Sequence, residues 1–165
     1  MRAFPAELAP VQVDDSGRTI TEMGRPALRV QVSLDAVSVD VVSVHLKSKL
    51  LSFPGGRFAP RDEDERARYA VYGLQRRAAE AAGVRAFVTR LLAGQGQERS
   101  VIVAGDLNDV TEAATTQILL GPPARSGAHP AMTGRTRATA TGCGISRRGS
   151  RRGRGTRGST AADSS

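Results

Sequence analysis

The sequence predicts an α/β (α+β) fold in which helices cover a β-sheet. Two stretches of alternating β-branched residues come first, a long helical pattern follows, and a short apolar run and a second helical pattern come last. The order strand, strand, helix, strand, helix is typical of a layered domain. The length of 165 residues suits one modest domain. No apolar run approaches the roughly 20 residues that span a bilayer, which excludes a membrane-spanning protein.

The first two main strands are predicted between residues 28 and 46. Apolar and polar side chains alternate over residues 28–34, which predicts a half-buried strand. The alternation consists of Leu28, Val30, Val32 and Leu34 against Arg29, Gln31 and Ser33. Residues 37–46 predict a central strand, because apolar side chains fall on both faces of its C-terminal half. Upstream, the turn signature of residues 14–17 predicts an antiparallel meander.

A long amphipathic helix is predicted from the acidic run at residues 62–65 to Ala93-Gly94. Acidic side chains favour the first turn of a helix because of the helix dipole. The stripe expected to be apolar comprises Ala67, Val71, Leu74, Ala78, Ala81, Val88 and Leu92, with Arg85 at its one missing position. Residues 100–104 then predict a buried strand. A last helix is predicted over residues 112–120, with Thr111 as its N-cap.

The net charge of +8 is concentrated in the last 32 residues. Residues 1–133 carry 16 Lys or Arg against 15 Asp or Glu, whereas residues 134–165 carry eight Arg against Asp163 alone. Of these 32 residues, 25 are Arg, Gly, Ser or Thr, so they cannot bury enough apolar surface to offset the entropy of ordering. The sequence therefore predicts a domain over residues 1–123 and a disordered Arg-, Gly- and Ser-rich tail over residues 124–165.

The expected compartment follows from cysteine usage and from the first residues. Cys143 is the single cysteine, so no intrachain disulfide can form and nothing favours an oxidising compartment. The opening residues also lack the apolar stretch of about 7–15 residues that marks a secretory signal. A cytoplasmic protein is expected.

One group of chemically suggestive residues is Gly105-Asp106-Leu107-Asn108-Asp109, at the end of the third main strand. Sheet ends are where α/β proteins carry reactive groups, and Gly105 permits close backbone approach there. Asp106 offers a carboxylate for a cation or a water molecule, and Asn108 offers an amide for a phosphoryl oxygen. The same pattern also occurs in plain turns.

A second group, His45-Leu46-Lys47-Ser48, closes the predicted central strand. A His in this position is either a structural hydrogen-bonding residue or an imidazole that handles charge or protons. In the functional interpretation Lys47, Ser48 or Lys49 meets an anionic substrate. The functional interpretation is favoured because two predicted strands end in groups that can bind phosphate and are joined by one helix.

Together these motifs resemble the endonuclease/exonuclease/phosphatase superfamily. The resemblance covers roughly residues 11–123. It is carried by His45-Leu46-Lys47-Ser48-Lys49, Phe53-Pro54-Gly55-Gly56-Arg57-Phe58, Glu80-Ala81, Arg85 and the run Val101-Ile102-Val103-Ala104-Gly105-Asp106-Leu107-Asn108-Asp109. It implies a partial four-layer α/β/β/α sandwich of the deoxyribonuclease-I-like type. It also implies Mg²⁺-dependent hydrolysis of a phosphoester by an activated water.

The resemblance implies a role for each of the residues that match. Asp106 orients or deprotonates the attacking water and is the candidate Mg²⁺ ligand. Asn108 binds the scissile phosphate together with Lys47 and Ser48, and His45 stabilises the transition state. The substrate class stays open between nucleic acid, lipid headgroup and sugar phosphate.

The sequence departs from the family at both ends. The family's N-terminal metal-ligand Glu and its closing Ser-Asp-His have no counterpart here, which predicts a truncated hydrolase with weak or no activity. The 22 Arg against two Lys indicate a GC-rich gene, so residues 124–165 are interpreted as a frameshift product. The alternative is a non-catalytic interaction module whose basic tail binds nucleic acid. An uncovered sheet is also expected to promote oligomerisation or aggregation.

Overall fold

The computed structural model of the protein describes residues 1–35, 37–96 and 98–121. These residues form a mixed α/β structure, which confirms the predicted class and the order of the main elements. The strands are β1 (Val11–Gln12), β2 (Thr19–Ile20), β3 (Leu28–Leu34), β4 (Val37–His45) and β5 (Ser100–Asp106), and the helices are α1 (Glu63–Leu92) and α2 (Ala114–Leu120). The predicted disorder and the frameshift interpretation concern residues 124–165, which lie outside the described residues.

The main sheet has three strands in the order β3-β4-β5, with β4 at its centre as predicted. β3 and β4 pair antiparallel, whereas β4 and β5 pair parallel. A parallel pair needs a crossover connection, and α1 supplies it. β1 and β2 form a separate two-stranded sheet, so the predicted meander is correct for this hairpin but does not extend into the main sheet.

α1 has the predicted bounds, with a cap at each end. Asp62 is its N-cap, and the Asp62 carboxylate accepts a 2.7 Å hydrogen bond from the backbone N–H of Glu65. Ala93 ends the helix in the left-handed conformation, and its N–H donates to the carbonyl of Thr89. No helix among the described residues is both long and apolar enough to cross a lipid bilayer.

The predicted apolar stripe of α1 is wrong in its first half. Val71 and Leu74 are exposed, and the buried face there includes the charged residues Glu65, Arg77 and Glu80. Burying a charge is costly unless it is paired. Each of these three side chains has partners in loops that fold over the helix, so the loops and not the apolar residues determine which face is covered.

The helices pack on one face of the sheet only. The core between them consists of Phe4, Met23, Ala27, Val42, Val44, Leu46, Ala79, Ala81, Val84, Val88, Leu91 and Leu119. Within the described residues the opposite face is uncovered, so the expected burial of the apolar side of β3 is wrong. That strand turns Arg29 toward β4, where Asp40 is buried and accepts from both Arg29 and Arg99.

α2 begins two residues later than predicted, and Thr111 is not its N-cap. Residues 110–113 form a turn in which the N–H of Ala113 donates to the carbonyl of Val110. Ala113 is the N-cap and makes no side-chain capping bond. Asp109 instead accepts from the Thr115 hydroxyl at 2.7 Å, which attaches the first turn of α2 to the loop after β5.

Candidate functional site

The parallel pairing of β4 and β5 brings two of the candidate residues together at one edge of the sheet. His45 is the register partner of Asp106. The Nε2 atom of His45 lies 3.9 Å from the Oδ2 atom of Asp106, and the two side chains are 45% and 61% exposed. The pair is therefore accessible to a ligand and close enough for both groups to contact one bound water molecule.

Gly105 permits this pairing because no other residue fits its position. Its φ is +131°, and a Cβ atom built there would lie 1.9 Å from the carbonyl oxygen of Val44. Glycine alone tolerates both that conformation and that distance. The close approach expected from the sequence is thus present, and it holds the ends of β4 and β5 side by side.

Asn108 lies in the loop directly after the pair and is held there by two hydrogen bonds. Its backbone N–H donates to Asp106 Oδ1 at 2.8 Å, and its Nδ2 donates to the carbonyl of Leu46 at 2.8 Å. Its φ is +54°, a left-handed conformation that Asn adopts more readily than most residues. Asn108 therefore orients the Asp106 carboxylate and attaches the loop to β4, and one Nδ2 proton remains for a ligand.

A cavity of about 360 Å³ lies beside His45. Its wall is formed by Gly24, Arg25, His45, Lys47, Ser48, Leu50, Ser52, Arg76 and Glu80. Two arginines and one lysine there face a single carboxylate, so the cavity carries a surplus of positive charge. Burial lowers the pKa of Lys47, and the nearby charges of Arg76, Arg77 and Arg25 lower it further. An anion is the ligand that this environment favours.

Glu80 organises the cavity rather than neutralising it. One of its carboxylate oxygens accepts from the backbone N–H of Lys47 and the other from the backbone N–H of Gly24 at 3.1 Å. Arg76 Nε approaches the second oxygen at only 3.4 Å. Glu80 thus fixes the segments on both sides of the cavity, and Lys47 directs its ammonium to the carbonyls of Ser48 and Leu50.

Lys49 belongs to a different cluster, so it is not the anion-binding residue that the sequence left open. Its Nζ lies 2.8 Å from Asp109, which also accepts from Arg77 Nε at 3.2 Å and from Thr115. Hydrogen bonds from Lys49 and Thr115 hold the pKa of the Asp109 carboxyl well below its usual range. Asp109 is a buried anchor between α1, α2 and the two loops.

Sequence reasoning missed Arg25 and Arg76 as members of the site. Arg25 precedes β3 and Arg76 lies within α1, so neither is near His45 or Asp106 in the sequence. Gly24, next to Arg25, was the one sign in the sequence of a close contact at this place. In the structure a Cβ atom at that position would lie 2.4 Å from Arg76 Nη2. The fold, and not a sequence motif, brings these two guanidinium groups to the cavity.

The donor atoms present do not fit a Mg²⁺ site. Mg²⁺ prefers six oxygen ligands, and no group of three or more His, Cys, Asp or Glu residues in the described part of the chain could hold a metal ion. Asp109 is occupied by its cationic partners, and one oxygen of Asp106 accepts from Asn108. Among the residues that the structure describes, Asp106 is the one carboxylate of this sheet edge with an oxygen left for a cation.

Comparison of the chain with protein-family models, with curated proteins and with solved structures finds no match. The geometry of His45, Asp106 and the adjacent cationic cavity is therefore the basis for any functional assignment.

Proposed function

We propose that this chain is a phosphoester hydrolase domain of the endonuclease/exonuclease/phosphatase type with a low rate of turnover. The observation that supports this proposal best is the pairing of His45 with Asp106, at 3.9 Å, on an exposed sheet edge beside a cationic cavity. An imidazole, a carboxylate and a phosphate-binding surface are the parts that hydrolysis of a phosphoester requires.

In this proposal the cationic cavity binds a phosphate group of the substrate. Arg25, Lys47 and Arg76 supply positive charge, and the Ser48 hydroxyl adds a donor. Arg25 has no side-chain partner among the described residues, and the Arg76 guanidinium has only its weak approach to Glu80. Because these two groups are not consumed by the fold, binding a phosphate does not require breaking strong internal ion pairs.

The chemical step uses the paired side chains at the sheet edge. Asp106 accepts a hydrogen bond from a water molecule and takes its proton as the water oxygen attacks phosphorus. The ester bond between phosphorus and the leaving oxygen breaks, and His45, in its protonated form, donates a proton to that oxygen. The cations of the cavity stabilise the charge that develops on the equatorial oxygens.

Low turnover is expected because catalytic groups and metal ligands of the family have no counterpart in this sequence. One general acid or base is typically worth about 10² to 10⁴ in rate. Among the described residues, no further carboxylate lies beside the His45–Asp106 pair to complete a metal site. Added Mg²⁺ has to take most of its ligands from water and substrate. We therefore expect Mg²⁺ to raise the rate only slightly.

The experiment is a hydrolysis assay of bis-p-nitrophenyl phosphate with the full chain, with and without Mg²⁺. Slow turnover is expected, and both Asp106→Asn and His45→Asn should lower it by about 100-fold or more. Asp64→Asn, which removes an exposed carboxylate from the first turn of α1, is the matched control and should leave the rate unchanged. Equal rates in all four proteins would contradict the proposal.

A second candidate function is a non-catalytic module that binds nucleic acid through residues 134–165. The eight Arg against one Asp in that segment favour it, because phosphate neutralisation dominates non-specific binding to nucleic acid. A chain ending at residue 133 should then lose retention on single-stranded DNA at low salt while Asp106→Asn keeps it. Retention unaffected by the truncation excludes this function.

A further inference from the structure

Arg77 connects α1 to the two loops that directly follow the paired strands. It is buried, with 7% of its side chain exposed. Its Nη1 donates to the carbonyl of Lys47 at 3.2 Å, in the loop directly after His45. Its Nε donates to the Asp109 carboxylate at 3.2 Å, in the loop directly after Asp106. Among the described residues, Arg77 is the one residue of α1 that hydrogen-bonds to both loops.

The ladder between β4 and β5 stops where these two loops begin. Its last backbone hydrogen bond joins the N–H of Leu46 to the carbonyl of Asp106 at 3.0 Å. Beyond that bond, side chains such as Asn108, which donates to the carbonyl of Leu46, hold the two loops together. Lys49 also joins the loops, but its side chain is 61% exposed and its four-carbon stem is flexible. Arg77 differs from both because it attaches the loops to a helix.

The chemistry of a guanidinium group suits this position. Its donors form a rigid planar fork, so two of them fix the directions of two acceptors at the same time. Glu80 adds a second bond from the same face of α1, since it lies three residues further along the helix and accepts from the N–H of Lys47. Both the N–H and the C=O of Lys47 are thus bound to α1, and Arg77 holds Asp109 as well.

We propose that Arg77 is a positioning residue that aligns the phosphate-binding cavity with the Asp106 carboxylate. Lys47 belongs to the cavity wall. Asp109 follows Asn108, whose backbone N–H donates to Asp106. In this proposal Arg77 contacts neither substrate nor water and acts through the two loops. Its effect on turnover rests on the proposed function, whereas its effect on the loops rests on the contacts alone.

Loss of this alignment should change the rate of the chemical step and leave the affinity of the cavity unchanged. The cavity wall is held by Glu80, whose hydrogen bonds to the backbone N–H groups of Gly24 and Lys47 do not involve Arg77. Phosphate binding should therefore persist without Arg77. A misplacement of about 1 Å between the reacting groups can cost about 10²-fold in rate. We therefore expect kcat to fall at constant KM.

The main experiment uses Arg77→Lys, which keeps the positive charge beside Asp109 but replaces the fork by one nitrogen. With bis-p-nitrophenyl phosphate as substrate, kcat should fall by about 10- to 100-fold. KM and the affinity for pyrophosphate, measured by calorimetry, should match the wild type. Arg85→Lys is the matched control, because Arg85 also lies in α1 but donates to the carbonyl of Leu119 in α2. A wild-type kcat in Arg77→Lys, or a raised KM at constant kcat, would overturn the proposal.

A second variant breaks the same link from its other end and keeps the test decisive if Arg77→Lys fails to fold. Asp109→Asn keeps the size of the side chain and removes its charge, so kcat should fall again at constant KM. When both single variants fold, the double variant should lose no more kcat than the more affected of them, since one link can be broken only once. Losses that multiply would contradict the link. Urea denaturation checks that each variant is folded under the assay conditions.

NMR spectra distinguish failure of this inference from failure of the proposed function. In Arg77→Lys the amide resonances of residues 46–50 and 107–110 should shift, while those of the β1–β2 hairpin should not. Arg85→Lys should leave the resonances of both loops in place. These shifts are expected even if the wild type shows no turnover, in which case the proposed function fails and the positioning of the loops stands. Unmoved loop resonances in a folded Arg77→Lys would overturn the inference at any wild-type rate.

Discussion

Asp106 ends β5 and Asp109 lies three residues later in the following loop, yet the structure uses them in opposite ways. Asp109 is only 7% exposed, and its oxygens accept from Lys49, Arg77 and Thr115. Asp106 is 61% exposed and has an Asn108 N–H and a distant His45 as neighbours. Asp109 thus stabilises the fold, whereas Asp106 stays accessible to a ligand.

Two further carboxylates resemble Asp109 rather than Asp106. Glu65 is fully buried and accepts from Arg57 and Arg61, and Glu80 holds two backbone N–H groups of the cavity wall. These two buried carboxylates therefore fix loops against α1. Asp106 differs from these carboxylates because its side chain is exposed and contacts no cation among the described residues other than the distant His45, and the following predictions test that distinction.

The largest effect is expected from Asp109→Ala. The variant leaves Arg77, which is itself buried, without its carboxylate, and breaking a buried ion pair in this way costs about 3–5 kcal/mol. Urea denaturation should show this loss in the free energy of unfolding. Asp106→Ala is the matched control and should change that free energy by less than about 0.5 kcal/mol. Similar losses in the two variants would remove the distinction.

Gly105→Ala should be next in size. The new Cβ atom would overlap the Val44 carbonyl, and the residue would be held at a φ that costs about 1–3 kcal/mol for a side chain. The end of β5 has to move, which separates Asp106 from His45. Urea denaturation measures the loss, and the imidazole resonances of His45 in NMR spectra report the displacement. An unchanged imidazole environment would show that Gly105 does not hold the pair.

A smaller effect is expected for phosphate binding at the cationic cavity. Arg25→Ala and Arg76→Ala each remove one charge-assisted hydrogen bond, worth about 1.5–3 kcal/mol, so the affinity for pyrophosphate should fall about tenfold or more. Isothermal titration calorimetry measures that affinity. Arg18→Ala, at the hairpin turn, is the control and should bind like the wild type. Equal affinities in all three variants would exclude the cavity as the binding site.

The last prediction is a change in the pH profile of stability and concerns Glu65. Hydrogen bonds from Arg57 and Arg61 lower its pKa from 4.5 to about 2. Since the pKa is lower in the folded state, the stabilisation is complete above about pH 4.5 and is lost as the pH falls toward 2. The melting temperature of the wild type should therefore fall through this window, and Glu65→Gln should flatten the profile there. Parallel profiles for the two proteins would contradict this pKa assignment.

The sequence was sufficient to predict the main elements because their signals are local. Alternation over residues 28–34 and the acidic run at residues 62–65 depend on neighbours in the chain. The covered faces could not be predicted in the same way. The apolar side of β3 is the open one. The helix α1 buries Glu65 and Arg77 because each pairs with charged residues of a loop.

The residues of the candidate site also divide into those that the sequence could predict and those that it could not. His45 and Asp106 could be placed together from sequence, since both were predicted to end neighbouring strands. Arg25 and Arg76 could not, because they reach the cavity from a loop and from the middle of a helix. The commitment of Lys49 to Asp109 was equally hidden, since a lysine next to a candidate site gives no sign of its partner.

The parallel pairing of β4 and β5 has a consequence for when the site exists. His45 and Asp106 meet only after all of the intervening chain, including α1, has closed into a single loop, and contacts of such long sequence separation form slowly. β5 is an outer strand of the described sheet and can detach in a local opening that leaves α1 helical. Such an opening would separate the His45 imidazole from the Asp106 carboxylate while α1 stays helical.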